Sequence, residues 1–117
     1  MQRLGDTLGE LERVIDSRKG GSADRSYTSR LLAGGVAETG RKVTEEAGEL
    51  VAAAGGETDA RVVSEAADLV YHVLVLLACR GISLAEVEAE LARRFGVSGL
   101  AEKAARGAGR PAGEAAS

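Results

Sequence analysis

Between Val70 and Leu77 the chain reads VYHVLVLL, and six of these eight positions, Val70, Val73, Leu74, Val75, Leu76 and Leu77, are aliphatic. Wound into an α-helix, the run is apolar nearly all round, and such a helix must be surrounded on every side. A chain of 117 residues can build one hydrophobic core but not two. Part of the cover for this segment is therefore expected from a second copy, which makes the segment a subunit interface. Helix is also the expected state elsewhere: the 44% hydrophobic content is mostly Ala, Leu and Val, aromatics are 3%, and the sole proline is Pro111. The expected fold is all-α, an antiparallel helical bundle of four to five helices completed by oligomerisation.

The same composition excludes several functions. Net charge is −3, with an isoelectric point near 5.2 and scattered basic residues, so the footprint of a duplex-binding protein is missing and nucleic acid is not an expected partner. Cys79 is the only cysteine, which rules out an internal disulfide; its place in an apolar run reads as a buried structural thiol in a reducing cytoplasm. The N-terminal MQRLGDTLGE carries acids early and lacks the apolar stretch of a secretory signal. The run from Leu69 to Cys79 is too short to span a bilayer and is interrupted by His72, so a soluble cytoplasmic protein is expected.

Along the chain, Leu4, Leu8, Leu11 and Ile15 recur at helical spacing, and Thr7 with Glu10 makes a capping box, with a start nearer Gln2 equally open. The segment DSRKGGSADRSYTSR, from Asp16 to Arg30, reads as a mobile basic loop leading into a helix start near Ser26 or Thr28. A short helix is expected from Tyr27 to Ala33, a bend at Gly34 and Gly35, and a longer helix from about Val36 to Ala54, ended by Gly55 and Gly56. Thr58 or Asp59 caps the next helix, which runs to Arg80 and stops at Gly81. The short link makes these two long helices antiparallel neighbours. Ser83 and Glu86 form a capping box for a helix through about Phe95, closed by Gly96. A final helical turn between Ser98 and Arg106 completes a domain of residues 1–106, and the Gly, Ala and Pro tail, residues 107–117, is expected to be disordered.

Each long helix carries a cluster of acids: Glu45, Glu46 and Glu49 in TEEAGE, then Glu65 and Asp68 in SEAADLVYH. Residues three or four apart share a helix face, so each run can aim two carboxylates at one point. Two ionised carboxylates about 5 Å apart repel by roughly 3 kcal/mol at an effective dielectric near 20, so acids facing one another in a core oppose the fold unless a cation joins them. Hard oxygen donors suit Mg²⁺, with Mn²⁺ possible, and Mg²⁺ shares its remaining positions with water and substrate phosphates. A single EExxE run is ordinarily a solvated helix face. Two such clusters, in helices otherwise rich in Ala, Val and Leu, favour a metal site. A di-iron bundle would require Glu-x-x-His pairs, and Leu69 stands three positions before His72.

The pattern EExxE, fifteen intervening residues, then ExxD resembles the signature of the all-α nucleotide pyrophosphohydrolase (MazG-like) superfamily. Further runs, RK at Arg18 and Lys19, SYT at Ser26 to Thr28, KVTEEAGE at Lys42 to Glu49, EAADLVYHVLVLL at Glu65 to Leu77 and SGLAEKAAR at Ser98 to Arg106, resemble the phosphoribosyl-ATP pyrophosphatase family. The resemblance runs from the first helix to Arg106. It implies hydrolysis of phosphoribosyl-ATP to phosphoribosyl-AMP and pyrophosphate with Mg²⁺, the second step of histidine biosynthesis, in a dimer or higher oligomer. It makes Glu46, Glu49, Glu65 and Asp68 metal ligands, with Glu45 close enough to bind metal or orient water; Glu45 and Glu46 are both candidates for accepting a proton from water, and a metal hydroxide would need neither. Thr44 departs from the Gly expected before the paired glutamates, and Ala37 from an Asp, with local packing the expected consequence.

Around the acids, His72 either orients the Asp68 carboxylate from one turn away or is a neutral histidine satisfied in the interface. Lys42 either pairs with Glu46, four residues on, or reaches a phosphate. The resemblance turns Arg18, Lys19, Ser26, Tyr27 and Thr28 toward substrate, with Tyr27 able to stack on adenine. Arg25 and Arg30 are, with Arg18 and Lys19, candidates for holding phosphates whose charge exceeds what the metal neutralises, but individually they read as solvated. Lys103 and Arg106 are candidates for the phosphoribosyl phosphate. Two alternatives share much of this reading: a house-cleaning nucleoside triphosphate pyrophosphohydrolase using the same acids, and a non-catalytic helical interaction module whose acids are solvated.

Overall fold

A computed structural model describes residues 3–95, which contain four helices and no strand. They are α1 (Leu4–Ser17), α2 (Tyr27–Gly56), α3 (Asp59–Cys79) and α4 (Leu84–Phe95). The described residues form two units that divide after Ile82, the first holding α1 to α3 and the second α4. Gly96, the expected turn from Ser98 to Arg106 with Lys103 and Arg106, and the tail lie outside the described residues.

In α1 the Leu8, Leu11 and Ile15 side faces inward, with Ile15 buried. The capping box expected at Thr7 is absent, because the helix begins a turn earlier: Arg3 is the N-cap, with no side-chain cap, and Thr7 N–H already bonds the Arg3 carbonyl at 3.1 Å. The start nearer Gln2 is the one adopted.

Within α2, Ser26 caps the start, its hydroxyl accepting from Ser29 N–H at 3.1 Å, and the chain then breaks at Gly35, whose φ of 73° and ψ of −161° only glycine adopts readily. The break is a reversal. Residues eight apart in a straight helix stand about 12 Å apart along the axis, yet the Thr39 hydroxyl donates to the Leu31 carbonyl at 3.0 Å. Residues 27–34 thus form a short arm folded back along the long segment 36–56, as the paired glycines predict.

Glu57 and Thr58 link α2 to α3, and Thr58 caps α3 by accepting from Arg61 N–H at 3.3 Å. Glu49 approaches Glu65 while Thr39 approaches Cys79, so residue numbers rise along one helix as they fall along the other. The long segment of α2 and α3 are therefore the expected antiparallel pair, and α1 packs against α3. Leu31, Ala53, Leu74 and Val75 join Ile15 in the core. Within the run that opened the sequence, Leu74 and Val75 are buried but Val70 and Val73 are exposed, so one chain covers only part of that surface.

By length and composition alone, α3 could cross a membrane, with a mean hydropathy of 1.8 over its best window. Glu65 and His72, both buried on it, meet polar groups of α2, as in the core helix of a water-soluble fold. In the second unit, the Ser83 and Glu86 box forms as read: Ser83 N–H donates to Glu86 Oε2 at 2.8 Å and Glu86 N–H to Ser83 Oγ at 3.3 Å.

Candidate active site

The antiparallel pairing brings Glu46 and Glu49 of α2 opposite Glu65 of α3, and one carboxylate oxygen from each lies within 4.8 Å of the other two. Glu46 and Glu65 are 8% and 4% exposed, whereas Glu49 opens to solvent. One oxygen on each buried acid is held by a cation one turn back: Lys42 Nζ stands 3.7 Å from Glu46 Oε1, and an Arg61 guanidinium nitrogen donates to Glu65 Oε1 at 2.6 Å. The other oxygens, Glu46 Oε2 and Glu65 Oε2, are buried without a hydrogen-bond partner.

Leaving a buried charged oxygen unpaired is costly. Burial raises the Glu65 carboxyl above the ordinary carboxylate range. The close Glu49 carboxyl, a hydrogen-bond partner only when one of the two holds a proton, adds to this, as does the charge of Asp68, while Arg61 works against it. Three carboxylates that bring oxygens within 4.8 Å of one another, two of them with an unpartnered buried oxygen and the third exposed, suit a hard divalent cation. Asp68 is exposed and outside this group of three, though its charge bears on Glu65. Glu45 points elsewhere, its Oε2 accepting from Arg41 at 2.6 Å on an exposed face. Thr44 is accommodated on the same side, donating to the Gly40 carbonyl at 3.1 Å.

Beside the acids, both tyrosines and the one histidine of the chain meet. His72 Nδ1 is 2.7 Å from the Asp68 carbonyl oxygen, which can only accept, so Nδ1 carries the hydrogen. In the neutral ring Nε2 is then an acceptor, and the Tyr27 hydroxyl donates to it at 2.9 Å. Of the two readings of His72, the structure therefore supplies a satisfied histidine, bonded to the backbone of Asp68 rather than to its carboxylate, and satisfied by Tyr27 of the same chain. The Thr28 hydroxyl pairs with the Tyr71 hydroxyl. Tyr27 and Tyr71 stack at 6.4 Å between centroids, His72 meets both rings edge-on, and the Arg30 guanidinium carbon lies 5.1 Å above the Tyr27 ring. Burial raises the Tyr27 hydroxyl above its usual value, with Lys42 and Glu46 close enough to act on it. The arm of α2 thus sets Tyr27 and Thr28 against His72 and Tyr71, with Glu46 near the Tyr27 hydroxyl, while Ser26 caps the arm.

Arg18 meets the arm of α2 through its backbone, and Lys19 is paired away from the acidic group. The Arg18 carbonyl accepts from Ser29 Oγ at 2.9 Å, and Lys19 Nζ is 3.4 Å from Asp16. Gly21 is required there, since a Cβ would stand 2.8 Å from Ser29 Oγ. Lys19 lines an open cavity of about 470 Å³ that also borders Ala78 and Cys79, about 16 Å along α3 from Asp68 at the helical rise per residue. Cys79 is half-buried, its thiol 3.8 Å from the Thr39 hydroxyl.

Sequence reasoning missed Tyr71 and Arg61 and set Arg30 aside. A phenol within an aliphatic run needs a hydroxyl partner, which was the available signal for Tyr71. The i, i+4 ladder Glu57, Arg61, Glu65 marked Arg61. Arg30 was marked only as one of four basic residues able to hold phosphate and read individually as solvated, because its partner is a ring face rather than a charge.

Known proteins resemble this chain over most of its length. The family model for phosphoribosyl-ATP pyrophosphohydrolase matches residues 8–95. The phosphoribosyl-ATP pyrophosphatase of Trichlorobacter lovleyi is 57% identical over 99 residues, covering 85% of this chain and 92% of its own. That of Erythrobacter litoralis is 51% identical over 102 residues, covering 87% and 98%, and that of Rhodopirellula baltica is 47% identical over 118 residues, covering 96% and 98%.

Proposed function

The chain belongs to the phosphoribosyl-ATP pyrophosphohydrolase family, and on that premise we propose that it hydrolyses the α,β-phosphoanhydride of phosphoribosyl-ATP. The products are phosphoribosyl-AMP and pyrophosphate, and the reaction is the second step of histidine biosynthesis, in the cytoplasm. The observation that carries the reading is the group of Glu46, Glu49 and Glu65 with its two buried, unpartnered oxygens.

Those three carboxylates, with Asp68 beside them, would hold Mg²⁺. The cation would supply Lewis acidity at a phosphoryl oxygen and offset the charge that develops on the leaving pyrophosphate. Lys42 and Arg61 fix one oxygen of Glu46 and one of Glu65, leaving the other of each without a partner and available to a cation. Of the two candidates for taking the proton of the attacking water, Glu46 belongs to the acidic group while Glu45 is committed to Arg41, so we assign the role to Glu46. Tyr27, 41% exposed and held through its hydroxyl by His72, borders the space in which the adenine would lie. Ser26 and Thr28 border the same space.

We place the active form as a homo-oligomer, a dimer first. Val51 and Val63 are 72% and 68% exposed on the helices that build the site, and Val70 and Val73 continue the apolar surface. A second copy would supply the cover a single chain lacks.

A panel comparing phosphoribosyl-ATP with ATP, dCTP and dUTP in Mg²⁺, scored by pyrophosphate release, tests the reading. Preference for phosphoribosyl-ATP is expected; strong preference for a plain nucleoside triphosphate would overturn it.

A further inference from the structure

We propose that Arg30 is a substrate-binding residue, a guanidinium held over the Tyr27 ring to grip phosphate oxygens that the cation at the acidic group leaves uncovered. The inference rests on the phosphoribosyl-ATP reading and extends it to a side chain outside the motifs.

The neighbouring cations are already paired. Arg41, Lys42 and Arg61 are each tied to a carboxylate four residues away, with separations of 2.6 Å, 3.7 Å and 2.6 Å to Glu45, Glu46 and Glu65. Their charge is already spent on acids. Arg30 is exposed and makes no ion pair among the described residues; its contact is the face of Tyr27, 5.1 Å from the centroid.

Helical geometry explains the placement. Arg30 is one turn beyond Tyr27, and long side chains in a helix lean toward its N-terminus, which carries the guanidinium back toward the Ser26 end of the arm. Tyr27 is itself immobilised, because its hydroxyl is bonded to buried His72 at 2.9 Å and its ring stacks with Tyr71. The platform beneath Arg30 is therefore rigid. An arginine lying over a ring keeps its in-plane N–H donors free, and these form the fork that matches two phosphate oxygens. Phosphoribosyl-ATP carries a triphosphate and a separate phosphate ester, more negative charge than a divalent cation already shared with three or four carboxylates can balance.

Steady-state kinetics with phosphoribosyl-ATP and Mg²⁺ on the full chain test the proposal. Arg30→Gln is expected to raise KM on the order of tenfold, the size of a lost charge-assisted contact, with kcat within about threefold of wild type. Arg30→Lys, keeping the charge but not the fork, should fall between the two. Tyr27→Leu, which removes the platform and leaves Arg30 in place, should also raise KM. A KM within twofold of wild type for Arg30→Gln overturns the proposal, as does a fall in kcat at unchanged KM. The two claims fail separately: wild-type protein that does not turn over phosphoribosyl-ATP defeats the functional reading, whereas normal turnover with an indifferent Arg30→Gln defeats only this assignment.

Discussion

Two polar regions lie side by side on α2 and α3, and they are built on opposite terms. Around Tyr27, Tyr71 and His72 the hydroxyls and ring nitrogens are satisfied within the chain. Around Glu46, Glu49 and Glu65, two buried oxygens have no partner, and like charges stand within 4.8 Å. The first region is finished on folding and gives a rigid wall. The second is complete only when a ligand brings positive charge, so its free energy belongs to binding rather than to the fold. Arginine and lysine at i±4 make that tension tolerable, holding one oxygen of each buried acid and leaving the other for the ligand.

The largest test of the difference is to neutralise the unfinished region. Glu65→Gln or Glu46→Gln is expected to lower turnover on the order of 10²- to 10³-fold, while the metal-free protein melts no earlier than wild type because a buried repulsion has been removed. At a hundredfold excess over its dissociation constant, Mg²⁺ should stabilise the wild type by about 2.7 kcal/mol, and this increment should vanish in either variant. Thermal melts with Mg²⁺ and with chelator read both effects. A variant that keeps near wild-type turnover would remove that acid from the site.

The finished region should respond in the opposite sense. Tyr27→Phe keeps the ring but leaves His72 Nε2 buried without its donor, and a loss of about 1–3 kcal/mol in stability is expected. The Mg²⁺ increment should remain, since no carboxylate has changed. Urea denaturation with and without Mg²⁺ checks this; a Tyr27→Phe protein as stable as wild type would mean that the His72 bond contributes nothing and the wall is not rigid.

This contrast also explains what could be read from the sequence. The helices were legible because their ends are written in local chemistry: Ser26 and Thr58 as caps, Gly35 as a break, Ser83 with Glu86 as a box. The acids were legible because EExxE and ExxD place carboxylates on one helix face without knowledge of the partner helix. Thr7 misled because an identical local pattern also fits inside a helix that starts one turn earlier. The aromatic wall was only half visible. Whether Tyr27 meets His72 depends on the reversal at Gly35 returning the arm to α3, a contact across 45 residues that no local spacing encodes. His72 was accordingly linked to the Asp68 side chain, its nearest polar neighbour in sequence, when its bond is to that residue's backbone.

A change of pH sharpens the comparison further. Glu65 has a folded-state pKa above its unfolded value, so in the metal-free protein the folded state binds the proton more tightly. Its contribution to stability is present below the unfolded value and is lost as pH rises through the raised one. Mg²⁺ acts in reverse, since it requires the ionised form. The stabilisation produced by Mg²⁺ should therefore be larger at pH 8 than at pH 5, and Glu65→Gln should lose that part of the dependence. Equal increments at the two pH values in wild-type protein would exclude a cation from the Glu65 carboxylate.

The smallest effect belongs to a third acid whose electrostatics look strong and matter least. Arg93 and Arg94 bond Glu90 on α4 and hold its carboxyl down at about 2. A depressed pKa means that the stability it contributes is present above the ordinary carboxylate value of 4.5 and is lost as pH falls toward about 2. These pairs are solvent-screened, however, and both arginines are within four residues on the same helix, so the ionised form gains little over its hydrated state. Glu90→Gln should leave KM and kcat unchanged and shift the melting temperature less than any substitution above. A loss comparable to that of Tyr27→Phe would mean that the α4 pairs contribute to the fold as the aromatic wall does. Glu90 and Glu65 thus separate two meanings of a perturbed carboxylate: lowered by the cations that bond it, or raised by burial beside other acids.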